Sequence, residues 1–179
     1  MTCIVGLVHS GGVLMGADSA GVGGYDIANR KDVKVFRNES LVIGCTTSFR
    51  MIQLLQYQLH PPKRHPDVDP MRYMVTDFIE AVRTCFRNGG FMTKDREAEV
   101  GGTFLVACSG RLFCVHGDFQ IGERADGFDA AGCGESYALA AMACTPELEP
   151  RARVQKALET AAHFSAGVRA PFVFEEVAP

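Results

Sequence analysis

The sequence predicts an α/β protein, a four-layer α/β/β/α sandwich of two antiparallel sheets flanked by helix pairs. Three observations carry that expectation. Apolar, β-branched-rich runs at 3–8, 13–18, 33–36 and 41–46 are followed by further strand runs from position 103. Each group of strands is followed by two stretches of helical period, 48–59 with 70–87 and 136–144 with 150–166. One more strand, Phe172 to Val177, closes the chain. Helix pairs placed after each strand group cover the outer faces of two sheets that stack on one another.

Cys3 to Val8 and Val13 to Asp18 read as two strands, with His9-Ser10-Gly11-Gly12 as the hairpin turn between them. Gly21 to Gly24 with Tyr25 and Asp26 reads as a flexible turn. It leads into the strand Val33-Lys34-Val35-Phe36, where alternation places Lys34 on the face opposite Val33 and Val35. Arg37-Asn38-Glu39-Ser40 is a tight turn, and Leu41 to Thr46 is the returning strand. Met51, Ile52, Leu55 and Leu59 then fall at helical spacing until Pro61-Pro62 stops the helix. Residues 61–70, with four prolines, form a stiff connector. A second helix from about Pro70 to Arg87 carries Met71, Met74, Val75, Phe78, Ile79, Val82 and Phe86 on one stripe, a core-facing pattern.

Residues 88–102 make a polar, glycine-flanked loop that includes Lys94-Asp95-Arg96-Glu97. Thr103 to Cys108 and Arg111 to His116 are strands joined by Ser109-Gly110, and Phe128 to Ala131 is another, ending at Gly132-Cys133-Gly134. That GxG opens a helix, but it follows a hairpin meander and not a βαβ unit, so it is a weak dinucleotide signal. Ser136 to Cys144 is an alanine-rich helix. The next helix, Pro150 to about Ala166, carries the stripe Val154, Ala157, Leu158, Ala161 and Ala162.

The 179 residues suit a single domain, 1–179, large enough to bury a core. A net charge of −3 with no Lys/Arg block argues against a nucleic-acid binder. No run approaches the eighteen or so apolar residues of a membrane span. Seven singly spaced cysteines, with neither a CxxC pair nor a secretory leader, fit reduced thiols in the cytoplasm and offer no metal-ligand spacing. No cofactor is expected.

The chemistry concentrates at the amino terminus. Removal of Met1, which a small second residue permits, leaves Thr2 with a hydroxyl nucleophile and a free α-amine able to act as its base. The first hairpin returns the chain so that Asp18 lies near Thr2. A Lys inside a strand needs water or a partner, because an unpaired buried ammonium is too costly. An adjacent carboxylate would keep Lys34 charged, and its field would lower the pKa of the Thr2 amine.

The runs TCIVGLVHSGGVLMGADS, KVF and LVIGCTTS, together with AAGCGESYALAAMA and PFVFEEV, resemble the proteasome β-subunit family, particularly its bacterial HslV branch. The resemblance spans nearly the whole chain, firmly at both ends and loosely between 50 and 100. It implies the N-terminal-nucleophile (Ntn) hydrolase fold and a threonine endopeptidase. In that assignment Thr2 is the nucleophile, Asp18 and Lys34 set the field, and the Gly44 N–H receives the oxyanion. Cys133 stands beside the nucleophile where the family usually has a serine, and Ser165 replaces a late aspartate. Gly21, Asp32, Val42 and Thr46 fall where the family builds its specificity pocket, Asp32 hinting at basic side chains.

The resemblance also implies stacked homo-oligomeric rings acting on unfolded polypeptides and fed by an ATP-dependent unfoldase, which the 88–102 loop is placed to touch. Six- and seven-membered rings both stay open. Two other functions stay open as well: an inactive proteasome-like ring scaffold, and an Ntn amidohydrolase of small substrates.

Overall fold

The computed structural model describes residues 1–95 and 98–179. Of the loop tetrad named above, Arg96 and Glu97 lie outside the described residues. Strands β1 (Cys3–His9), β2 (Gly12–Ala17), β12 (Phe128–Gly132) and β13 (Val173–Val177) form one antiparallel sheet in the order β12-β1-β2-β13. A second sheet runs β11-β10-β9-β6-β5, from β5 (Val35–Asn38), β6 (Leu41–Cys45), β9 (Phe104–Cys108), β10 (Arg111–Val115) and β11 (Ile121–Gly122). Helix α1 (Phe49–Tyr57) and a helix over residues 70–88, α2, cover the second sheet. Helices α3 (Glu135–Cys144) and α4 (Pro150–Phe164) cover the first. The four-layer sandwich is the architecture expected.

Alternation along single strands explains the layering. In β1, Cys3, Val5 and Leu7 pack toward α3 and α4, while Ile4 packs into the seam between the sheets. In β6, Leu41, Ile43 and Cys45 face α1 and α2, and Val42 faces the seam. Both faces of these strands are therefore dry, and near-continuous apolar runs result. The cis Ala170–Pro171 bond lies just before β13.

Three features differ from the sequence-based expectation. The stretch read as a turn after residue 20 contains a separate hairpin, β3 (Ala20–Gly23) with β4 (Asp26–Asn29), whose tip residue Tyr25 is fully exposed. A second short hairpin, β7 (Thr93–Asp95) with β8 (Ala98–Val100), occupies part of the 88–102 loop. In α2 a π-helical turn at Met74–Phe78 separates Pro70–Tyr73 from Ile79–Asn88. The wider turn shifts the helical phase, and Val75, placed on the buried stripe by a regular period, is 46% exposed.

Candidate active site

Thr2 immediately precedes β1, and Asp18 immediately follows its partner β2, so the hairpin register places them side by side. Asp18 is 1% exposed. One of its carboxylate oxygens, Oδ1, accepts the Cys3 N–H at 2.9 Å and the Lys34 ammonium at 2.9 Å. The other, Oδ2, accepts the Ala20 N–H at 2.9 Å and the Arg169 N–H at 3.3 Å. Lys34, also 1% exposed, lies at the entry to β5, where its carbonyl accepts the Cys45 N–H at 2.8 Å. Its ammonium also reaches the Met1 carbonyl at 3.4 Å, and the Thr2 hydroxyl donates to that same carbonyl. Such a pair persists away from water only because each charge is answered by the other and by surrounding hydrogen bonds.

Around Thr2 is a cavity of about 100 Å³ lined by Met1, Val22, Lys34, Thr46, Thr47, Ser48, Phe49 and Ile52. The turn into α1 forms one wall. Thr47 has φ 56°, a left-handed conformation unusual for a β-branched residue. It is held there by the Thr103 N–H, which donates to the Thr47 hydroxyl at 3.2 Å, and by contact with the Thr46 hydroxyl at 3.1 Å. Ser48 caps α1 by accepting from the Arg50 N–H at 3.1 Å, and its own N–H closes onto the Thr46 carbonyl at 2.6 Å.

The structure brings Thr2, Asp18, Lys34 and Cys133 together and leaves Gly44 out. Gly44 lies inside β6, paired with Val35 on one side and Leu105 on the other. A Cβ there would stand 2.4 Å from the Met15 sulfur and 2.5 Å from Ile4 Cγ2. Gly44 is thus a packing glycine in the seam between the sheets. The backbone at the cavity is that of Thr47 and Ser48, which the sequence reading passed over. The available signal was the Thr-Thr-Ser run ending in a helix N-cap.

Cys133 is exposed, with its sulfur 3.3 Å from the Thr2 backbone nitrogen, 3.4 Å from the Thr2 carbonyl and 3.4 Å from the Ser165 hydroxyl. The two positions at which the sequence departs from the family pattern, 133 and 165, therefore touch each other. Gly132, with φ 102°, brings this segment onto Thr2, since a Cβ there would lie 2.2 Å from the Thr2 carbonyl oxygen. Beside them the Cys3 thiol is pushed up to about 12, first by burial and then by the Asp18 charge, so Cys3 stays a neutral packing residue.

Of the four positions expected to shape specificity, Thr46 lines the cavity and donates to the Thr103 carbonyl at 2.8 Å. Val42 is in the seam and Gly21 lies against Arg30. Asp32 is gripped through both oxygens by Arg30, at 2.7–2.9 Å, which holds its carboxyl below the usual range. Its charge is already matched, which removes the basis for a preference for basic side chains. Among the described residues no group of three or more His, Cys, Asp or Glu is arranged to hold a metal ion. No helix among them is long and apolar enough to cross a membrane.

No protein-family model matches the sequence, and no curated protein does. Solved structures do match. BPH from Thiobacillus denitrificans superposes with a TM-score of 0.78 at 19% identity, over 99% of each chain. Eukaryotic HslV from Trypanosoma brucei gives 0.67 at 17% identity, also over 99% of each. A Gly-1 mutant of Anbu from Hyphomicrobium sp. strain MC1 gives 0.70 at 16% identity, over 99% of this chain and 82% of that one. With its two sheets, two helix pairs and a threonine at the head of β1, the chain has the fold of the proteasome β-subunit and HslV-like proteins, the Ntn hydrolase sandwich.

Proposed function

We propose that this chain is an N-terminal threonine endopeptidase, one subunit of a self-compartmentalised ring protease in the cytoplasm. The observation that carries the reading is the buried Lys34 ammonium, bonded to Asp18 at 2.9 Å and turned toward the residue 1–2 peptide group at the edge of a cavity. Once Met1 is removed, the Thr2 nitrogen becomes an amine beside that cation. The positive field favours its neutral form, the form that accepts the hydroxyl proton. Thr2 Oγ then attacks the scissile carbonyl, the amine passes the proton to the leaving nitrogen, and water releases the acyl group. The oxyanion falls to the Thr47 backbone N–H in place of Gly44, since the Ser48 N–H is already given to the Thr46 carbonyl. Cys133 holds the Thr2 backbone and relays its protons with Ser165 behind it, the thiol being a weaker donor than a hydroxyl.

The fold supports assembly into stacked homo-oligomeric rings, fed with unfolded polypeptide by an ATP-dependent unfoldase. A structure of T. denitrificans BPH is in complex with epoxomicin, so an epoxyketone is the apt probe. The test is intact-mass analysis after epoxyketone treatment of wild type and Thr2→Ala. One adduct on a wild-type chain that begins at Thr2, with none on the variant, is expected. Adducts on both proteins remove Thr2 from the mechanism.

A second reading is an inactive ring scaffold, which retention of Met1 in the cell would produce. With Met1 in place the Thr2 nitrogen is an amide that donates toward Cys133, and it cannot serve as a base. Persistence of Met1 on protein purified from its own cell decides for the scaffold. A small-substrate amidohydrolase would instead be monomeric or dimeric in solution.

A further inference from the structure

The Cys133 sulfur stands 3.3 Å from the Thr2 nitrogen, within the range of about 3–3.5 Å at which two atoms are poised to react. Backbone sets that distance, and Met1 does not. Cys3 pairs with Gly132 in the β1–β12 ladder, the Gly134 N–H donates to the Thr2 carbonyl at 3.3 Å, and Gly132, at φ 102°, turns the segment onto Thr2. These contacts all lie on the carboxyl side of the Thr2 nitrogen, so loss of Met1 leaves them in place. Cys133 is also exposed, and a small oxidant reaches it.

We infer that Cys133 is a peroxide-sensitive modification site whose oxidised sulfur bonds to the freed Thr2 amine, a reversible cap on the hydrolase site proposed above; the inference rests on the loss of Met1 in that reading. Hydrogen peroxide is the oxidant. The Cys133 thiolate attacks one peroxide oxygen, the O–O bond breaks, and sulfur is oxidised to the sulfenic acid while the peroxide is reduced to water. The Thr2 amine then attacks sulfur: an S–N bond forms, the S–O bond breaks, and the hydroxide leaves as water with a proton from the amine. Two molecules of a small thiol reverse the step, restoring thiol and amine and departing as a disulfide.

Two internal nucleophiles compete for that sulfur, and the amine is the better placed. The Cys3 thiol is buried and pushed up to about 12, so it has almost no thiolate to offer. The Thr2 amine lies beside the Lys34 ammonium, which favours its neutral, nucleophilic form. The Ser165 hydroxyl, 3.4 Å from the sulfur, is placed to hydrogen-bond the sulfenic oxygen. Attack by a positioned internal group reaches effective molarities of about 10⁵ M or more, so it outruns a second peroxide that would carry the sulfur on to sulfinic acid.

The test uses the assembled protein, released from a cleavable fusion so that it begins at Thr2, treated with a small excess of hydrogen peroxide and weighed without reductant. Wild type is expected to become two hydrogen atoms lighter and to regain its mass in dithiothreitol. Peptide mapping is expected to find the Thr2 amine closed to an amine label and Cys133 closed to alkylation while Cys3 alkylates, which separates an S–N bond from a Cys3–Cys133 disulfide. Peroxide is expected to abolish epoxyketone attachment to wild type and dithiothreitol to restore it, whereas Cys133→Ser keeps whatever attachment it shows untreated. Thr2→Ala retains an α-amine and is expected to form the same bond, although it takes no adduct. A disulfide, a Cys133 that only gains oxygen, or a Cys133→Ser as sensitive to peroxide as wild type overturns the proposal. The two ideas fail separately. The S–N bond without a wild-type adduct sinks the hydrolase reading alone, an adduct without the bond sinks the cap alone, and neither product sinks both.

Discussion

Replacing Asp18 by Asn tests the buried pair most directly. Each carboxylate oxygen faces donors: Oδ1 the Cys3 N–H and the Lys34 ammonium, Oδ2 the N–H groups of Ala20 and Arg169. An amide has one acceptor and one donor end, so in either orientation its NH₂ meets an N–H or an ammonium. The substitution also leaves Lys34, 1% exposed, without a charge partner, facing at best a neutral amide oxygen and the Met1 carbonyl at 3.4 Å. Breaking a buried pair this way costs about 3–5 kcal/mol. That is a fifth or more of an ordinary stability of roughly 5–15 kcal/mol, and for a chain of this size it lowers Tm by about 6–20 °C.

Lys34→Met is the informative contrast. It removes the cation but leaves the carboxylate its three N–H donors and fills much of the same volume, so a smaller loss of about 1–3 kcal/mol is expected. In the double variant no ammonium is stranded, and its loss falls below the sum of the singles by about 0.5–3 kcal/mol. Urea unfolding followed by circular dichroism measures all three, at one protein concentration because association shifts apparent stability. Asp18→Asn costing under about 1 kcal/mol, or less than Lys34→Met, refutes the reasoning.

Gly44→Ala is expected to destabilise by about 1–3 kcal/mol through overpacking while Thr2 still takes the epoxyketone adduct; a lost adduct with unchanged stability returns Gly44 to the chemistry. Native thiol alkylation, mapped by peptide mass analysis, should label Cys133 and Cys144 ahead of Cys3 and Cys114, whose thiols burial pushes up to about 12. Labelling Cys133 should block the Thr2 adduct. Glu135, the first residue of α3, has its carboxyl raised above the usual 4.5, first by burial and then by Asp129. A folded-state pKa above the unfolded one means that ionisation of Glu135 opposes folding. The penalty is absent below the unfolded pKa and grows as pH rises through the folded one. Glu135→Gln should therefore raise Tm near neutral pH and leave it unchanged in acid; an equal gain at every pH counts against this.

Apolar runs and turn chemistry made most of the fold legible, because both faces of each sheet are buried and β1, β2, β6 and β9 read as near-continuous apolar stretches between turns. The same logic placed Asp18 beside Thr2, since a hairpin of known register returns the chain to its start. Gly44 was misplaced for a general reason. A glycine that admits a substrate and one that admits a neighbouring methionine look alike in a sequence, and only the fold shows that Met15 and Ile4 fill the space. Thr47 and Ser48 were missed because a left-handed turn at a β-branched residue violates local propensity. Asp32 misled because its partner, Arg30, sits two residues away on a bend whose geometry no period encodes.

The two members of the buried pair do not speak equally to function. Asp18 fastens β1, the start of β3 and the segment entering β13 through three N–H donors, so a structural role alone explains a carboxylate there. Lys34 has a weaker one, the partial neutralisation of Asp18 that makes Lys34→Met cost about 1–3 kcal/mol. Its acceptors are Asp18 and the Met1 carbonyl, and an apolar side chain of similar length would pack at that depth without the cost of stripping an ammonium of water. A folded scaffold gains only that partial neutralisation from this cation, whereas an amine that must lose its proton beside Thr2 gains a field from it. The discriminating measurement is the pH dependence of epoxyketone attachment to Thr2. Lys34→Met is expected to move its alkaline shift upward, because the amine then titrates without a neighbouring cation, and an unchanged profile assigns Lys34 to the fold alone.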